Sequence, residues 1–358
     1  MSLLKRFTHG VVWTVLGTAG ARLFSLAVAV ALARLLGQKV FGELAMLQST
    51  FGLGSVLAGF GLGLTATKHL AELRHKDPRR CGRLIALVLL TAAVTGGLAT
   101  LACLAAAPWL AASFLQAPHL AFVLRLGSPL LLVSALLGVY TGCLTGFMAF
   151  RAIACLNLGQ GLASVPLSLI LVYLAGLPGA VLALIFSALA GLLLAVPALR
   201  RECRASGILL DYRGCLQERR TLVDFSLPAV LTGVLVSLAT WISYTLLARQ
   251  PGGYAELGLF HAASKLQVVL MFIPHTLSLV TGPLLAEIYG NRHRADFVQA
   301  ANLNLKAAWS LTLLAGFLLI GASPWLMGVF GPAFRQGRTI PAVIITAAVL
   351  NLAGNTMG

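Results

Sequence analysis

Long apolar runs with almost no charge recur along the whole chain and limit its fold more than any other feature. A run of about 20 apolar residues can cross a bilayer as an α-helix. In lipid only helices and closed barrels pair all their backbone N–H and C=O groups, and these runs are too long and too evenly apolar for barrel strands. The sequence therefore predicts an all-α polytopic membrane protein with ten spans, at residues 10–33, 41–66, 84–107, 119–146, 152–175, 178–199, 225–248, 257–281, 305–330 and 341–358.

The composition excludes an ordinary water-soluble enzyme. Hydrophobic residues make up 59% of the chain and charged residues 10%, against about 45–50% and about 25% in soluble domains. The first run, residues 10–33, is longer than the about 7–15 apolar residues of a signal peptide, so we interpret it as a span. The six cysteines form no CxxC motif and have no His partner at metal-ligand spacing, so we expect no metal or other cofactor.

The cations predict the orientation of the spans. Lys and Arg number 26 against 10 Asp and Glu, but they lie between the apolar runs, which does not fit a nucleic-acid binder. The N-terminus and the even-numbered connections hold 18 of them and the odd-numbered connections 5. Because positive loops stay inside, the N-terminus is predicted to be cytoplasmic. The remaining three, Arg22, Arg125 and Lys265, lie within spans.

Short identities recur between the two halves of the chain in the same order and at a nearly constant offset. Leu32-Ala33-Arg34 recurs as Leu247-Ala248-Arg249, and Pro108-Trp109-Leu110 recurs as Pro324-Trp325-Leu326. A repeat of six spans is even in number, so both copies have the same orientation in the membrane. This pattern predicts a parallel repeat about an axis along the membrane normal.

The repeat also predicts the domain organisation. Residues 1–222 form a first six-helix bundle with a basic cytoplasmic loop, and residues 223–358 form a second bundle with four helices, because Gly358 is the counterpart of Gly146. We therefore expect either a fragment of a twelve-span protein or a shortened natural relative of one.

Several stretches resemble one transporter family. They are Trp13, Arg22, Leu32-Ala33-Arg34, Gly37 and Phe41-Gly42 in the first half, with Phe225-Ser226-Leu227-Pro228, Gly258-Leu259-Phe260, Ala262-Ala263, Lys265, Ile273-Pro274 and Pro283-Leu284-Leu285-Ala286-Glu287 in the second. Together they resemble the Wzx-type polysaccharide flippases of the multidrug/oligosaccharidyl-lipid/polysaccharide (MOP) superfamily.

The resemblance implies a fold and a function. The fold is MATE-like, with two six-helix bundles facing a central cleft lined by helices 1, 2, 7 and 8. The function is to move undecaprenyl-diphosphate-linked oligosaccharide from the cytoplasmic to the outer leaflet of the inner membrane. Membrane lipid and polysaccharide-assembly proteins are the expected partners, with no nucleic acid.

A buried arginine marks the first candidate site. Arg22 is the thirteenth residue of the first run, and a cation at mid-bilayer costs about 2.5–3.5 kcal/mol, so it must face protein or a water-filled interior. On a helix it shares an arc of about 80° with Thr14, Thr18 and Ser25. We interpret this stripe as part of the cleft lining. The simpler interpretation is that Arg22 bonds carbonyl groups of a neighbouring helix and fixes its packing.

Lys265 marks the second candidate site, nine residues into the eighth run, about 13 Å of helical rise from its end. His261 lies about 40° and His275 about 80° from it around the helix axis, on the same side, so we interpret the three as one polar stripe. The alternative is a snorkelling lysine. Arg125, in the fourth run, is a further candidate for the cationic cleft, although snorkelling is the favoured interpretation there because it lies nearer a span end.

The acids indicate the charge of the ligand. Glu43, Glu72, Asp224, Glu256 and Glu287 lie at or near span ends, so none is placed to neutralise Arg22 or Lys265. Cations without acidic partners in a membrane interior favour a mobile anion, and a diphosphate fits the donors of Arg and Lys.

Other functions fit these patterns less well. A multidrug or cation antiporter of the same superfamily would need carboxylates deep in its spans. A membrane-embedded polysaccharide-assembly enzyme would need His, Asp or Glu clusters on substantial outer loops. No GxxxxGK[ST] motif occurs, so an H+ or Na+ gradient is the expected energy source rather than ATP.

The orientation can be tested with single-cysteine variants in a background without the native cysteines. Cysteines placed at Arg79 and Arg213 should resist a membrane-impermeant thiol reagent added outside, because both positions belong to connections that the cation count puts in the cytoplasm. A cysteine at Gln250, in the seventh connection, should react. Labelling of the first two from outside would reverse the predicted topology.

Overall fold

The computed structural model describes residues 3–74, 76–212, 214–272, 274, 277 and 294–357. Within these ranges it does not describe the side chains of residues 3–14, 16, 219–225, 227, 229, 294–297, 299–301 and 351–357. Throughout the described part the regular structure is helical and no β-strand occurs. The predicted all-α class is confirmed.

Ten α-helices make up the part of the chain that the structure describes. They are α1 (Leu3–Gly59), α2 (Leu62–Leu73), α3 (Pro78–Trp109), α4 (Leu120–Gly127), α5 (Pro129–Gly146), α6 (Phe150–Ala205), α7 (Arg219–Ala248), α8 (Gly253–Leu270), α9 (Arg294–Phe330) and α10 (Ile340–Met357). A π-helical turn at Leu110–Phe114 extends α3, and 3-10 turns at Cys215–Glu218 and Pro332–Gly337 precede α7 and α10.

Two of these helices each contain two predicted spans. In the described residues, six helical segments are long and apolar enough to cross a membrane. However, α1 has 57 residues and α6 has 56, well over twice the about 20 residues that a bilayer core of about 30 Å needs. Each is interrupted at one glycine with non-helical backbone angles, Gly37 (φ 74°, ψ 172°) and Gly176 (φ 59°, ψ −130°). A positive φ is readily adopted only by glycine, so these residues separate span 1 from span 2 and span 5 from span 6.

Side-chain neighbours show that both long helices fold back on themselves. A Cβ on Gly179 would overlap the carbonyl oxygen of Leu171, and a Cβ on Gly191 would lie 2.9 Å from Oε1 of Gln160. Each pair lies almost symmetrically about Gly176, so the two arms of α6 are antiparallel. In α1, Ser25 and Gln48 line the same cavity on either side of Gly37.

The structure corrects two predicted spans. The run 41–66 is not one continuous helix, because Phe60 (φ 43°) and Gly61 (φ 63°) interrupt it before α2. The run 119–146 is divided into α4 and α5 at Ser128, just before Pro129, whose ring lacks the N–H that a continuous helix needs. Helix α8, which corresponds to the predicted span 257–281, is described to Leu270. Most of residues 273–293 lies outside the described part.

The division of the chain into two bundles stays a prediction.

The connections between helices gather at two opposite ends. At the Gly37 end, named after that residue, Arg249 in the seventh connection donates to the carbonyl oxygens of Ser113 and Phe114 in the third. At the Arg80 end, Arg80 and Arg83 contact the buried carboxylate of Glu218, at N–O distances of 2.9 Å and 3.5 Å. The third and seventh connections therefore meet at the first end and the second and sixth at the other, as consecutive membrane crossings require.

Reciprocal contacts join the two sequence repeats at the Gly37 end. Arg34 donates its Nε–H to the carbonyl oxygen of Val329 at 2.7 Å, and its repeat counterpart Arg249 donates to that of Ser113, also at 2.7 Å. Ser113 and Val329 are themselves repeat counterparts, because nearly the same offset separates them along the chain. The two arginines therefore make the same contact in opposite directions, as expected for two parallel copies related by a two-fold axis.

A glycine crossing lies at the centre of this arrangement. A Cβ on Gly42 in α1 would overlap the carbonyl oxygen of Tyr254 in α8, and a Cβ on Gly258 would overlap that of Gln38. The repeat offset separates Gly42 from Gly258, and it separates Gln38 from Tyr254 as well. The helices meet at equivalent positions of the two repeats, and only residues without side chains allow their backbones to approach so closely.

A pair of alanine substitutions tests this crossing. Gly42→Ala should lower the thermal unfolding temperature in detergent, because its methyl group must push α8 away at a cost of about 1–3 kcal/mol. Gly52→Ala is the matched control on the same arm of α1, where a Cβ meets nothing within 4 Å. It should leave stability unchanged or raise it by about 0.5–1 kcal/mol. Equal effects of the two changes would contradict the tight crossing.

Candidate functional site: a polar cavity among the spans

A cavity of about 260 Å³ lies among the membrane-spanning helices. Both arms of α1, both arms of α6 and one face of α8 form its wall. Many of its lining residues carry polar side chains: Ser25, Gln48, Asn157, Gln160, Ser164, Ser168, Ser187, His261 and Lys265. Helix α7 contributes no residue to this lining, so among the described residues the cavity differs from the expected cleft between helices 1, 2, 7 and 8.

The cavity lies deep in the helix bundle. Lys265 is 12 residues from Gly253 at the start of α8, and Ser25 is 12 residues from Gly37, so each lies about 18 Å from the Gly37 end along its helix. This depth is near the middle of an apolar core of about 30 Å. The Gly42–Gly258 crossing lies closer to the Gly37 end than Lys265 and Ser25 do, level with the edge of the cavity at Phe41.

His261 and Lys265 lie one helical turn apart on the face of α8 that borders the cavity. The imidazole of His261 is buried and packs edge-on against the rings of Phe41 and Tyr244, with centroid distances of 5.3 Å and 6.4 Å. Its Nδ1 is buried and has no hydrogen-bond partner in the described structure.

Lys265 has no acidic neighbour in the described part of the chain. The ion pairs there involve Glu72, Glu218 and Glu43, and none of these residues lines the cavity. Glu43 instead accepts from His119 Nε2 at 3.2 Å. The cavity therefore carries one ammonium group and no carboxylate among its described lining residues, so its electrostatics favour an anion.

The structure places Arg22 beside the cavity and not in its lining. Its Nη1 donates to the carbonyl oxygen of Val268 in α8 at 2.8 Å, and its guanidinium lies 5.3 Å from the ring centroid of Phe272. This geometry matches the simpler of the two interpretations of Arg22, a link between helices 1 and 8. Because Val268 is three residues after Lys265, this hydrogen bond anchors α8 to α1 about one helical turn from the lysine.

The remaining predicted site residues divide into three groups. Ser25 lines the cavity as expected, whereas Thr18 does not. Arg125 has an exposed side chain near the end of α4 and lies outside the lining. The side chain of Thr14 and the whole of His275 lie outside the described residues, so their predicted roles stay predictions.

Sequence reasoning missed the amide and hydroxyl groups on α6 and on the second arm of α1. Asn157, Gln160, Ser164 and Ser168 are spaced by three, four and four residues, which puts them on one helix face. That spacing is a usable signal, since a polar stripe in an apolar span faces protein interior or water rather than lipid. Gln48 belongs to no such polar stripe, so only the folded structure shows that it lines the cavity.

Comparisons with known proteins agree with this architecture. A family model described as "Polysaccharide biosynthesis protein" matches residues 7–289. The EPS I polysaccharide export inner membrane protein EpsE of Ralstonia solanacearum is 28% identical over 141 residues, 37% of this chain and 32% of that protein. Its counterpart in Ralstonia nicotianae is 29% identical over 127 residues, 34% of this chain and 29% of that protein. The match therefore spans about a third of each relative's length.

Solved structures show the same fold at low sequence identity. An inward-facing multidrug resistance MATE family transporter of the MOP superfamily superposes with a TM-score of 0.74, at 17% identity, over 94% of this chain and 82% of that one. A MOP superfamily transporter from Pyrococcus furiosus gives 0.72 at 17% identity, over 98% and 80%. The eukaryotic MATE transporter AtDTX14 gives 0.72 at 13% identity, over 97% and 80%. The fold is therefore MATE-like.

The link made by Arg22 can be tested through stability. Arg22→Ala should lower the unfolding temperature in detergent, because a hydrogen bond from a charged donor contributes about 1.5–3 kcal/mol and the Val268 carbonyl loses its partner. Arg22→Gln keeps a donor at this position and should lose less. An Arg125→Ala control, at an exposed arginine outside the cavity, should have little effect. Full stability of Arg22→Ala would contradict the linking role.

Proposed function

Since this chain belongs to the polysaccharide biosynthesis protein family, we propose that it is a membrane transporter for polysaccharide export. Its substrate in this proposal is an undecaprenyl-diphosphate-linked oligosaccharide, which it flips from the inner to the outer leaflet of the cell inner membrane. The observation that carries the proposal is the polar cavity with Lys265 and His261 but no carboxylate in its described lining.

The cation in the cavity supports an anionic substrate. Removing an ammonium group from water is costly unless an opposite charge or hydrogen-bond acceptors replace the lost hydration. Protein carboxylates do not supply that charge to Lys265 within the described structure. A diphosphate entering the cavity would supply it, and His261 borders the cavity on the same helix face as Lys265.

The contacts at the Gly37 end support alternating access. There the Tyr254 hydroxyl donates to the carbonyl oxygen of Leu115 at 2.7 Å. The side-chain amide of Gln38 donates to the carbonyl oxygen of Ala255 at 3.1 Å. Together with the Gly42–Gly258 crossing, these bonds join the two repeats at that end. Flipping requires them to separate so that the substrate can leave towards the outer leaflet.

The cavity argues against the multidrug or cation antiporter suggested by the MATE-like fold. A cationic drug or metal ion is best held by carboxylates, since they neutralise its charge in a region of low dielectric constant. No Asp or Glu side chain occurs among the described residues that line this cavity. The family and the sign of the charge therefore favour export of an anionic lipid-linked glycan by a transporter over both drug efflux and catalysis.

Three further parts of the proposal concern the setting of the transporter. The N-terminus is proposed to face the cytoplasm, and an H+ or Na+ gradient is proposed to drive transport. Membrane lipid and polysaccharide-assembly proteins are its proposed partners. The excess of cations in the even-numbered connections supports the orientation.

A flipping assay tests the proposed function. Proteoliposomes carry a fluorescent undecaprenyl-diphosphate-linked N-acetylglucosamine, and dithionite bleaches only the probe molecules in the outer leaflet. Wild-type protein should move the probe between leaflets faster than protein-free vesicles do. Lys265→Ala should slow this movement at least about tenfold, which corresponds to about 1.4 kcal/mol. Lys265→Arg keeps the positive charge and should retain part of the rate.

Lys306→Ala is the matched control, because Lys306 is exposed and does not line the cavity. It should flip the probe at the wild-type rate. A Lys265→Ala protein that flips as fast as wild type, at equal reconstituted amounts, would contradict a substrate-binding role for Lys265. A wild-type rate equal to that of empty vesicles, both without a gradient and with an imposed H+ or Na+ gradient, would overturn the proposed function.

A further inference from the structure

Three carboxamide side chains face the cavity and have no hydrogen-bond partner among the described residues. Gln48, Asn157 and Gln160 all line it, and no hydrogen bond joins their side chains to another described residue. Ser168, buried in the same lining, likewise makes no described hydrogen bond through its hydroxyl. A polar group in a membrane interior is costly when it lacks a partner, so these groups favour water or a ligand that can bond to them.

The neutral groups form one continuous wall. Asn157, Gln160, Ser164 and Ser168 follow the first arm of α6, Ser187 faces them from the second arm, and Gln48 comes from α1. We call these six residues the amide wall. Ser164 donates its hydroxyl to the Gly161 carbonyl oxygen at 2.7 Å, and Ser187 donates to that of Gln160 at 3.4 Å. Both hydroxyl oxygens therefore remain available as acceptors.

The chemistry of this wall differs from that of an anion site. A carboxamide offers two donors and two acceptor lone pairs, and a serine hydroxyl oxygen accepts. A diphosphate ionised at neutral pH mainly accepts hydrogen bonds, so it would leave the acceptor half of the wall unpaired. A sugar ring carries hydroxyl groups that both donate and accept, and it can pair with both halves.

The size of the cavity limits what can lie against the wall. Its volume of about 260 Å³ is slightly below the about 300–1,000 Å³ of sites that hold drug-sized ligands. One ring with its substituents fits this space. The amide wall and the ammonium group of Lys265 border the same space.

We propose that the amide wall is a binding subsite for a single sugar ring, the one attached directly to the diphosphate of the transported lipid. This inference rests on the proposed function and adds a second determinant to it. Lys265 holds the anionic diphosphate, and the amide wall selects lipids that carry a sugar. The carrier lipid without a sugar would then engage only the cationic part of the cavity.

Binding to purified protein in detergent tests this inference with defined probes. Native mass spectrometry gives the affinity for undecaprenyl diphosphate and for undecaprenyl-diphosphate-linked glucose, galactose and N-acetylglucosamine. Wild-type protein should bind at least one sugar-bearing lipid about tenfold or more tightly than undecaprenyl diphosphate. Asn157→Leu and Gln160→Met remove an amide at similar size, and each should reduce this ratio towards one with unchanged affinity for undecaprenyl diphosphate.

Two controls separate binding from folding. Asn302→Leu removes an exposed amide outside the cavity and should keep the wild-type ratio. Thermal unfolding of each variant checks that the helices remain packed, since Gln160 contacts Gly191 in the other arm of α6. Because the wall is tested with two separate variants, the result does not depend on whether one of them fails to fold.

The outcomes distinguish this inference from the proposed function. A wild-type ratio near one for all three sugars, with weaker binding of undecaprenyl diphosphate by Lys265→Ala, would overturn the sugar subsite and leave the function standing. The subsite would also be overturned if both wall variants kept the wild-type ratio between the affinity for a sugar-bearing lipid and that for undecaprenyl diphosphate. Absence of binding of every lipid by wild-type protein would overturn the proposed function and the subsite with it.

Discussion

The close approach of α1 and α8 at Gly42 and Gly258 is the constraint on which the rest of the structure depends. Neither position has room for a Cβ, so the two sequence repeats meet there backbone against backbone. The crossing fixes the distance between the repeats, places Arg34 and Arg249 to make their reciprocal bonds, and brings His261 and Lys265 of α8 to the wall formed by α1 and α6. A site assembled in this way needs both repeats.

Much of the architecture could be predicted from the sequence, because a lipid environment leaves few choices. Apolar runs in lipid must be helices, so the positions of the spans followed from hydropathy. The repeat predicted the counterparts Arg34 and Arg249, which make equivalent contacts. The breaks at Gly61 and Ser128 were not predicted, because they lie within uniformly apolar runs where backbone geometry, and not hydropathy, decides the outcome.

The candidate site was predicted in part, and the physical reason is the difference between rare and common side chains. A lysine in a span is rare enough to be noticed, so Lys265 and His261 were identified together. Arg22 was noticed for the same reason, but the sequence could not show that the Val268 carbonyl lies within its reach. Gln48 and Asn157 are uncharged and cost less to bury, so only the packing of α1 against α6 reveals that they share one cavity.

In the proposed mechanism the two repeats separate at the Gly37 end to pass substrate through the cavity. Gln38 and Ala255 lie on opposite sides of that contact, joined by a hydrogen bond of 3.1 Å. The direct measurement is the flipping rate of a Gln38→Cys, Ala255→Cys protein, without native cysteines, before and after cross-linking with a short reducible bis-thiol reagent. We expect cross-linking to stop flipping and reduction to restore it. Unchanged flipping by fully cross-linked protein would contradict the account.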